Sequence, residues 1–528
     1  MQQTSFDLKD PVFDCLGLAV SVQIVTLENL YGLLESRVRV QSQDDRVDVR
    51  CNRLAWAGQQ EEASGNLDLR AQRNPDGSLR LRVRARTGSP IRCLKILVRD
   101  LDPGVSIAAP GVEPVLAGGS GYVLHYPAQI PAPVVEIRAG RRRIAVRIED
   151  PRVTPKRFAI GLERHGPLAG RGVAEIIHEQ EATKFAGELA ISDLVIEPGV
   201  SAEKCLESYL RFAEESLGLV PWDRREDVPS WARRVRLVAT LHGMHFTGRI
   251  FLRYRQMLDV LRFLARRIPG EEILAYLPGW EGRYYWQYGE YRPEPGLGGA
   301  DEFARLCQGA RELGIHVMPM FGANCANIHL HRIARLPEPA HLKSATRNRF
   351  HGNQPDWDLS RSHDTGWQRW FNPGHPAWRD LLASAIEACC ERFGIDAVFL
   401  DTVHAWTNDP DHAVFDGLES LARRLRNRIP RLLLAGEADY DRLLSLFPLF
   451  QRPWWTAPPA WTSRYVRRFG HLCEGEPGGR TGVHELGVFE PATPSPADPA
   501  FIETIAFQDG TLEREREAIE ALLKKLAA

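Results

Sequence analysis

Hydrophobic and polar positions follow two different rhythms along the chain. Over roughly the first 200 residues they alternate every second position, as in Arg37-Val38-Arg39-Val40, Arg46-Val47-Asp48-Val49, Leu79-Arg80-Leu81-Arg82-Val83-Arg84 and Arg143-Ile144-Ala145-Val146-Arg147-Ile148. A strand turns successive side chains to opposite faces, so this rhythm predicts antiparallel sheets with one buried and one wet face. Asn74-Pro75-Asp76-Gly77 and Ala117-Gly118-Gly119-Ser120 supply turns between the runs. Many short strands of this kind predict a large antiparallel β-sandwich over residues 1–200. The arginines at the outer positions are expected to be solvated faces and not a surface for polyanions.

Residues 201–232 predict a connection. A helix is expected over Ala202–Leu217, followed by the polar, Pro-bounded stretch Val220–Pro229. From Arg233 onward short apolar runs alternate with amphipathic helices, the pattern of a parallel sheet. The expected strands are 236–246, 272–280, 315–327, 395–403, 431–438, 450–455, 481–491 and 501–509. Eight strand–helix units in about 300 residues match a (β/α)8 TIM barrel spanning 233–528. An open doubly wound sheet is the alternative, but no strand leads into GxGxxG and no GxxxxGKS or GxxxxGKT loop occurs.

Composition narrows the class. Of 528 residues, 44% are hydrophobic and 26% charged, the mix of a folded soluble protein. Lys plus Arg number 67 against 68 acids, a net charge of −1, so no nucleic-acid partner is expected. No apolar run approaches the ~18 residues of a membrane span, so no membrane partner is expected either. Asp7 and Asp10 stand where a signal peptide carries positive charge. The nine cysteines are odd in number and form no CxxC pair, which argues against a disulfide framework or a structural zinc. These features predict a reducing, cytoplasmic setting.

In a TIM barrel, chemistry gathers at the C-terminal ends of the strands. That rule selects His242 and His245 after strand one, and Trp280, Tyr284, Tyr285 and Trp286 after strand two. It selects Asn324 and Asn327 after strand three, Asp401, His404 and Trp406 at strand four, and Glu437 and Asp439 at strand five. Trp454, Trp455, His484, Glu485, Gln508 and Asp509 follow. Asp401 and Glu437 are the central pair. Adjacent strands lie ~4.8 Å apart, so two carboxylates at neighbouring tips face a common pocket. Glycoside hydrolysis needs such a pair: one attacks the anomeric carbon and the other protonates the leaving oxygen. Helix capping or an arginine partner is the bland alternative for either acid. Sugar rings stack apolar C–H faces on aromatic rings, and their hydroxyls take short polar side chains. A carbohydrate substrate is therefore expected, with Trp280, Trp286, Asn324, His404, Trp406, His484, Glu485 and Asp509 as binding candidates and no cofactor or metal.

Two motifs carry a resemblance. FGIDAVFLDTV (393–403), preceded by NPGHPAWRDLL (372–382), resembles retaining glycosidases of the α-amylase and α-galactosidase type, where N-P-x-x-P-x-W-R opens the helix before the strand bearing the nucleophilic Asp. LLLAGEA (432–438) resembles the next strand of amylase-like enzymes, which carries the Glu acid/base. A β-sandwich ahead of the barrel resembles α-galactosidases and endo-α-N-acetylgalactosaminidases. The resemblance implies a retaining enzyme on α-linked glycosides, with Asp401 as nucleophile and Glu437 as acid/base. The chain also departs from these families. Phe399 stands where amylase-like enzymes have Arg, FGANCAN replaces their third-strand motif, and His484-Glu485 only echoes their late His-Asp. The late-strand Asp of α-galactosidases has no clear counterpart. A transglycosidase would use the same site. A metal-dependent barrel hydrolase using His242, His245, His484 and Asp509, or a carbohydrate-binding protein with an inactive barrel, are the rival readings.

Overall fold

The computed structural model describes residues 10–116, 122–245, 248–283, 286–349, 368–452, 458–470 and 500–528. The chain divides into two compact units, Met1–Leu219 and Val220–Ala528.

The first unit is a large antiparallel β-domain. One sheet pairs Ala19–Thr26 with Ile91–Leu101, then Gly172–Glu179, Lys156–Leu162 and Tyr122–Tyr126. The other runs from Val38–Gln43 through Arg46–Trp56, Glu61–Arg73 and Leu79–Thr87 to Asp193–Pro198, Arg142–Glu149 and Val134–Ala139. Leu30–Leu33 pairs with a strand of each sheet and links them. The alternation sorts as its periodicity requires. Val47, Val49, Leu69, Leu81 and Val83 are buried in one core with Val20, Val22 and Ile24. The intervening arginines on the wet face pair with acids, Arg70 with Asp48 at 2.9 Å and Arg82 with Asp193 at 2.7 Å. The helix Ala202–Ser216, capped by Ser201, lays Cys205, Leu206, Tyr209 and Leu210 onto this unit.

The second unit is a closed barrel of eight parallel strands with helices between them: Leu237–Leu241, Ile273–Leu277, His316–Gly322, Ala397–Asp401, Leu433–Glu437, Leu449–Gln451, Arg467–Phe469 and Phe501–Phe507. Strands one, two and four are buried at every position, as expected when helices cover the outer face and side chains fill the inner one. The rings of Tyr276, Phe399 and Phe469 meet with centroids 4.9–6.1 Å apart and pack the interior. The expected β-sandwich and TIM barrel are thus both present. One strand is corrected. The seventh is Arg467–Phe469, not 481–491, a stretch that lies outside the described residues. It is three residues long and two of them are arginines, so it has no hydropathy signal. Arg468 is buried because it pairs with Asp439, and Arg467 lies over the Trp222 ring at 4.8 Å. Among the described residues no helix is long and apolar enough to cross a membrane.

Candidate active site at the barrel mouth

Strand register brings the two acids together. Gly322 is paired with Asp401, and Leu400 with Gly436, so Asp401 and Glu437 occupy matching tips of strands four and five. Residues matched across a parallel ladder point to the same face. The glycine at Asp401's register is required: a Cβ on Gly322 would stand 2.3 Å from the ring of Tyr288. In the space it leaves, the Tyr288 hydroxyl donates to Asp401 Oδ2 at 2.7 Å. Tyr288 reaches that place on the stretch after strand two. The Asn327 N–H donates to its carbonyl at 3.1 Å, Asn327 Nδ2 donates to the Trp286 carbonyl at 2.7 Å, and the Tyr291 hydroxyl donates to the Gly322 carbonyl at 3.0 Å.

Glu437 is close enough to Asp401 for its charge to oppose ionisation of the Asp401 carboxyl. Burial pushes Asp401 well above the usual carboxylate range, and the charge of Glu437 adds to this; the Tyr288 hydroxyl pulls the other way. The backbone turns sharply after each acid. Thr402 has φ +64° and Ala438 φ +50°, left-handed conformations that a β-branched residue in particular resists. Such strain persists only where the surroundings impose it. At Thr402 they do: its hydroxyl donates to the Asp401 carbonyl at 2.6 Å, and its N–H donates to Glu437 Oε2 at 3.3 Å. His404 Nδ1 lies 3.3 Å from the Glu437 carbonyl oxygen and 3.5 Å from Oε2. Donation to the carbonyl fixes the proton on Nδ1 in the neutral ring.

Of the residues selected from sequence, Asp401, Glu437 and His404 converge, and Trp406 is half-buried two residues beyond. Trp286 is half-buried with the Arg283 guanidinium 4.8 Å over its ring. Asn324 is fully buried and donates from Nδ2 to the Ala405 carbonyl at 2.8 Å, tying the tip of strand three to the loop after strand four. Trp280 is corrected. It is fully buried, stacks on Phe303 with centroids 5.0 Å apart, and donates its indole N–H to the Met320 carbonyl. Gly279, at φ +67°, turns the chain so that residue 280 faces the helices, and Trp280 has no surface for a sugar. Asp509 is exposed and pairs with Arg249 at 2.8 Å, apart from the acid pair's own contacts. Tyr284, Tyr285, Trp454, Trp455, His484 and Glu485 lie outside the described residues. His242 and His245 are buried; burial, then the Arg283 charge, pushes His245 down to about 4, so its ring is neutral. Among the described residues no three His, Cys, Asp or Glu side chains converge as metal ligands would. Sequence reading missed Tyr288 and Thr402. The glycine at the end of strand three was the signal for the first.

Neither a protein-family model nor a curated protein matches the chain. The fold is shared with α-N-acetylgalactosaminidases and α-galactosidases. The α-N-acetylgalactosaminidase NagBb from Bifidobacterium bifidum, in its Gal-NHAc-DNJ complex, superposes with a TM-score of 0.63 at 10% identity, over 98% of this chain and 93% of that one. The GH36 α-galactosidase AgaA from Geobacillus stearothermophilus gives 0.51 at 11% identity, over 96% and 74%. NagBb has also been solved with GalNAc, and a variant of AgaA with raffinose. At these identities the likeness is one of fold alone, a β-domain followed by a barrel.

Proposed function

We propose that the protein is a retaining glycoside hydrolase acting on α-linked glycosides, with Asp401 as nucleophile and Glu437 as acid/base. The observation that carries this reading is the register that sets two acids at matching tips of adjacent strands in the barrel mouth, close enough for each charge to act on the other. An inverting pair keeps its carboxyls about 6.5–9.5 Å apart to admit a water, whereas a retaining pair stands about 5–5.5 Å apart. A pair on matching tips of adjacent strands belongs to the closer class. The α-linkage rests on the fold shared with α-N-acetylgalactosaminidases and α-galactosidases.

The chemistry follows from the pairing of the two acids. Glu437 donates a proton to the leaving oxygen while the Asp401 carboxylate attacks the anomeric carbon. Tyr288 holds the attacking carboxylate in orientation and stabilises its charge. Once Asp401 is an ester its charge is gone, the pKa of Glu437 falls, and Glu437 accepts a proton from the incoming water. The test is covalent trapping with α-configured cyclophellitol-type aziridines of galacto, gluco and N-acetylgalacto configuration, followed by peptide mass spectrometry. One of them is expected to label Asp401. A label on another carboxylate, or hydrolysis with inverted anomeric configuration, refutes the assignment.

A further inference from the structure

Glu281 is a buried acid for which the mechanism above has no use. It lies four residues past strand two and is 2% exposed, and among the described residues neither side-chain oxygen meets a hydrogen-bond donor from another residue. Among the described residues its own backbone N–H is the one group that favours its charge. The titratable groups within electrostatic range are Glu294 and Tyr291 of the stretch that follows, Tyr254 of the helix Tyr254–Ala265, Tyr276 of strand two and Cys389 of the helix Pro376–Phe393. None is a cation. Burial holds the three tyrosines and the cysteine neutral, and Glu294 adds repulsion. A carboxyl in this setting persists by keeping its proton, and burial pushes it up from the ordinary 4.5 to about 8.

The same stretch delivers Tyr288 to Asp401. It is held by a chain of bonds that closes around Glu281. The Tyr254 hydroxyl accepts from the Glu294 N–H at 2.8 Å and donates to the Trp280 carbonyl. Glu294 accepts from Gln287 Nε2 at 3.0 Å and from the Gly296 N–H at 2.9 Å. Gln287 in turn accepts from the Arg283 N–H. An unpaired charge at Glu281 would therefore sit inside the scaffold that fixes Tyr288.

We propose that Glu281 is a positioning residue acting through its proton: while the carboxyl is neutral, residues 286–298 stay packed and Tyr288 stays on Asp401, and ionisation loosens this stretch and withdraws that hydroxyl. The sign follows from linkage. In the opened stretch Glu281 meets water and ionises at its ordinary 4.5; in the packed one it holds its proton to about 8. Opening is therefore hardest in acid. It becomes tenfold easier for each pH unit between those two values and no easier above the higher one.

The proposal concerns the local packing of residues 286–298, so its test does not require that the site be a glycosidase. Hydrogen exchange of the full chain is followed by mass spectrometry from pH 5 to 9.5, corrected for intrinsic exchange rates, on peptides covering 286–298. Peptides from the helix Ala202–Ser216 of the β-domain serve as reference. The expected result is an opening equilibrium in 286–298 that climbs about tenfold per pH unit and levels off near pH 8, with the reference helix unchanged. In Glu281→Gln the climb is expected to vanish. A flat profile in the native chain overturns the proposal, and so does an undiminished climb in Glu281→Gln. The native profile alone decides the matter if that variant does not fold.

Discussion

Two buried aspartates, one in each unit, are held in opposite ways. Asp150 of the β-domain lies 2.9 Å from the Lys156 ammonium, accepts from the Thr154 hydroxyl at 2.7 Å and has His178 Nε2 3.8 Å away. Burial alone would raise it, but the Lys156 charge wins and holds it far below the usual carboxylate range. His178, desolvated and facing the same Lys156 charge, is pushed down to about 3 and stays neutral. Asp401 of the barrel is as deeply placed, yet its close neighbours are a second acid and a tyrosine, and its pKa moves up. Burial is common to both; the sign of the neighbouring charge separates them. A cation makes Asp150 part of the scaffold. A like charge at a strand tip leaves Asp401 poised to exchange a proton, the condition expected of a catalytic group.

The sharpest way to break this comparison is to neutralise each member. Asp401→Asn is expected to lower kcat/KM by about four orders of magnitude or more, the scale of losing a nucleophile. The same substitution relieves a strained pair, so the midpoint of thermal unfolding should hold or rise. Loss of folding with loss of activity would place Asp401 among structural residues. Lys156→Met strands Asp150 in the interior and is expected to cost about 3–5 kcal/mol of stability, as broken buried pairs do. Chemical denaturation measures it, and turnover of the folded fraction should be unaltered.

Tyr288→Phe tests the donor on Asp401. A hydrogen bond to a charged group is worth about 1.5–3 kcal/mol, so kcat/KM should fall about ten- to a hundredfold. Tyr288 lowers the Asp401 pKa, so its removal should move the acid limb of the kcat/KM profile to higher pH. An unmoved limb would show that this limb belongs to another group. The smallest effect is a difference in slope. Asp150 ionises below its ordinary 3.8, so its contribution is present above that pH and is lost as the pH falls through its depressed folded value. Asp401 ionises above 3.8, so the native chain should lose stability relative to Asp401→Asn as the pH rises from there, by about 1.4 kcal/mol per unit. Unfolding free energies of the native chain, Asp150→Asn and Asp401→Asn, measured below pH 3.8 for the first slope and from there to pH 7 for the second, give both signs. Two slopes of the same sign would dissolve the comparison.

Much of this architecture was legible in the residue order because it depends on local periodicity. The alternation Leu79-Arg80-Leu81-Arg82 can bury only one face, whatever packs on it, and AVFL before Asp401 can only be a covered strand with its acid at the tip. That reasoning located Asp401 and Glu437 together, since both depend on strand ends alone. It failed where position depends on a turn or on a partner far along the chain. Trp280 looked like a sugar platform until the left-handed Gly279 turned it toward Phe303. Arg467–Phe469 reads as polar, and it is a barrel strand because Asp439 and Trp222 receive its arginines. Tyr288 is 113 residues from Asp401, and their hydrogen bond exists because Gly322, on a third segment, has no Cβ to block it. Periodicity, composition and strand ends are properties of neighbouring residues, and the sequence alone determined the β-domain, the barrel and the two acids. Which side chains meet those acids, and whether a buried carboxyl keeps its proton, depends on distances between segments remote in the chain, and the tertiary structure decided it.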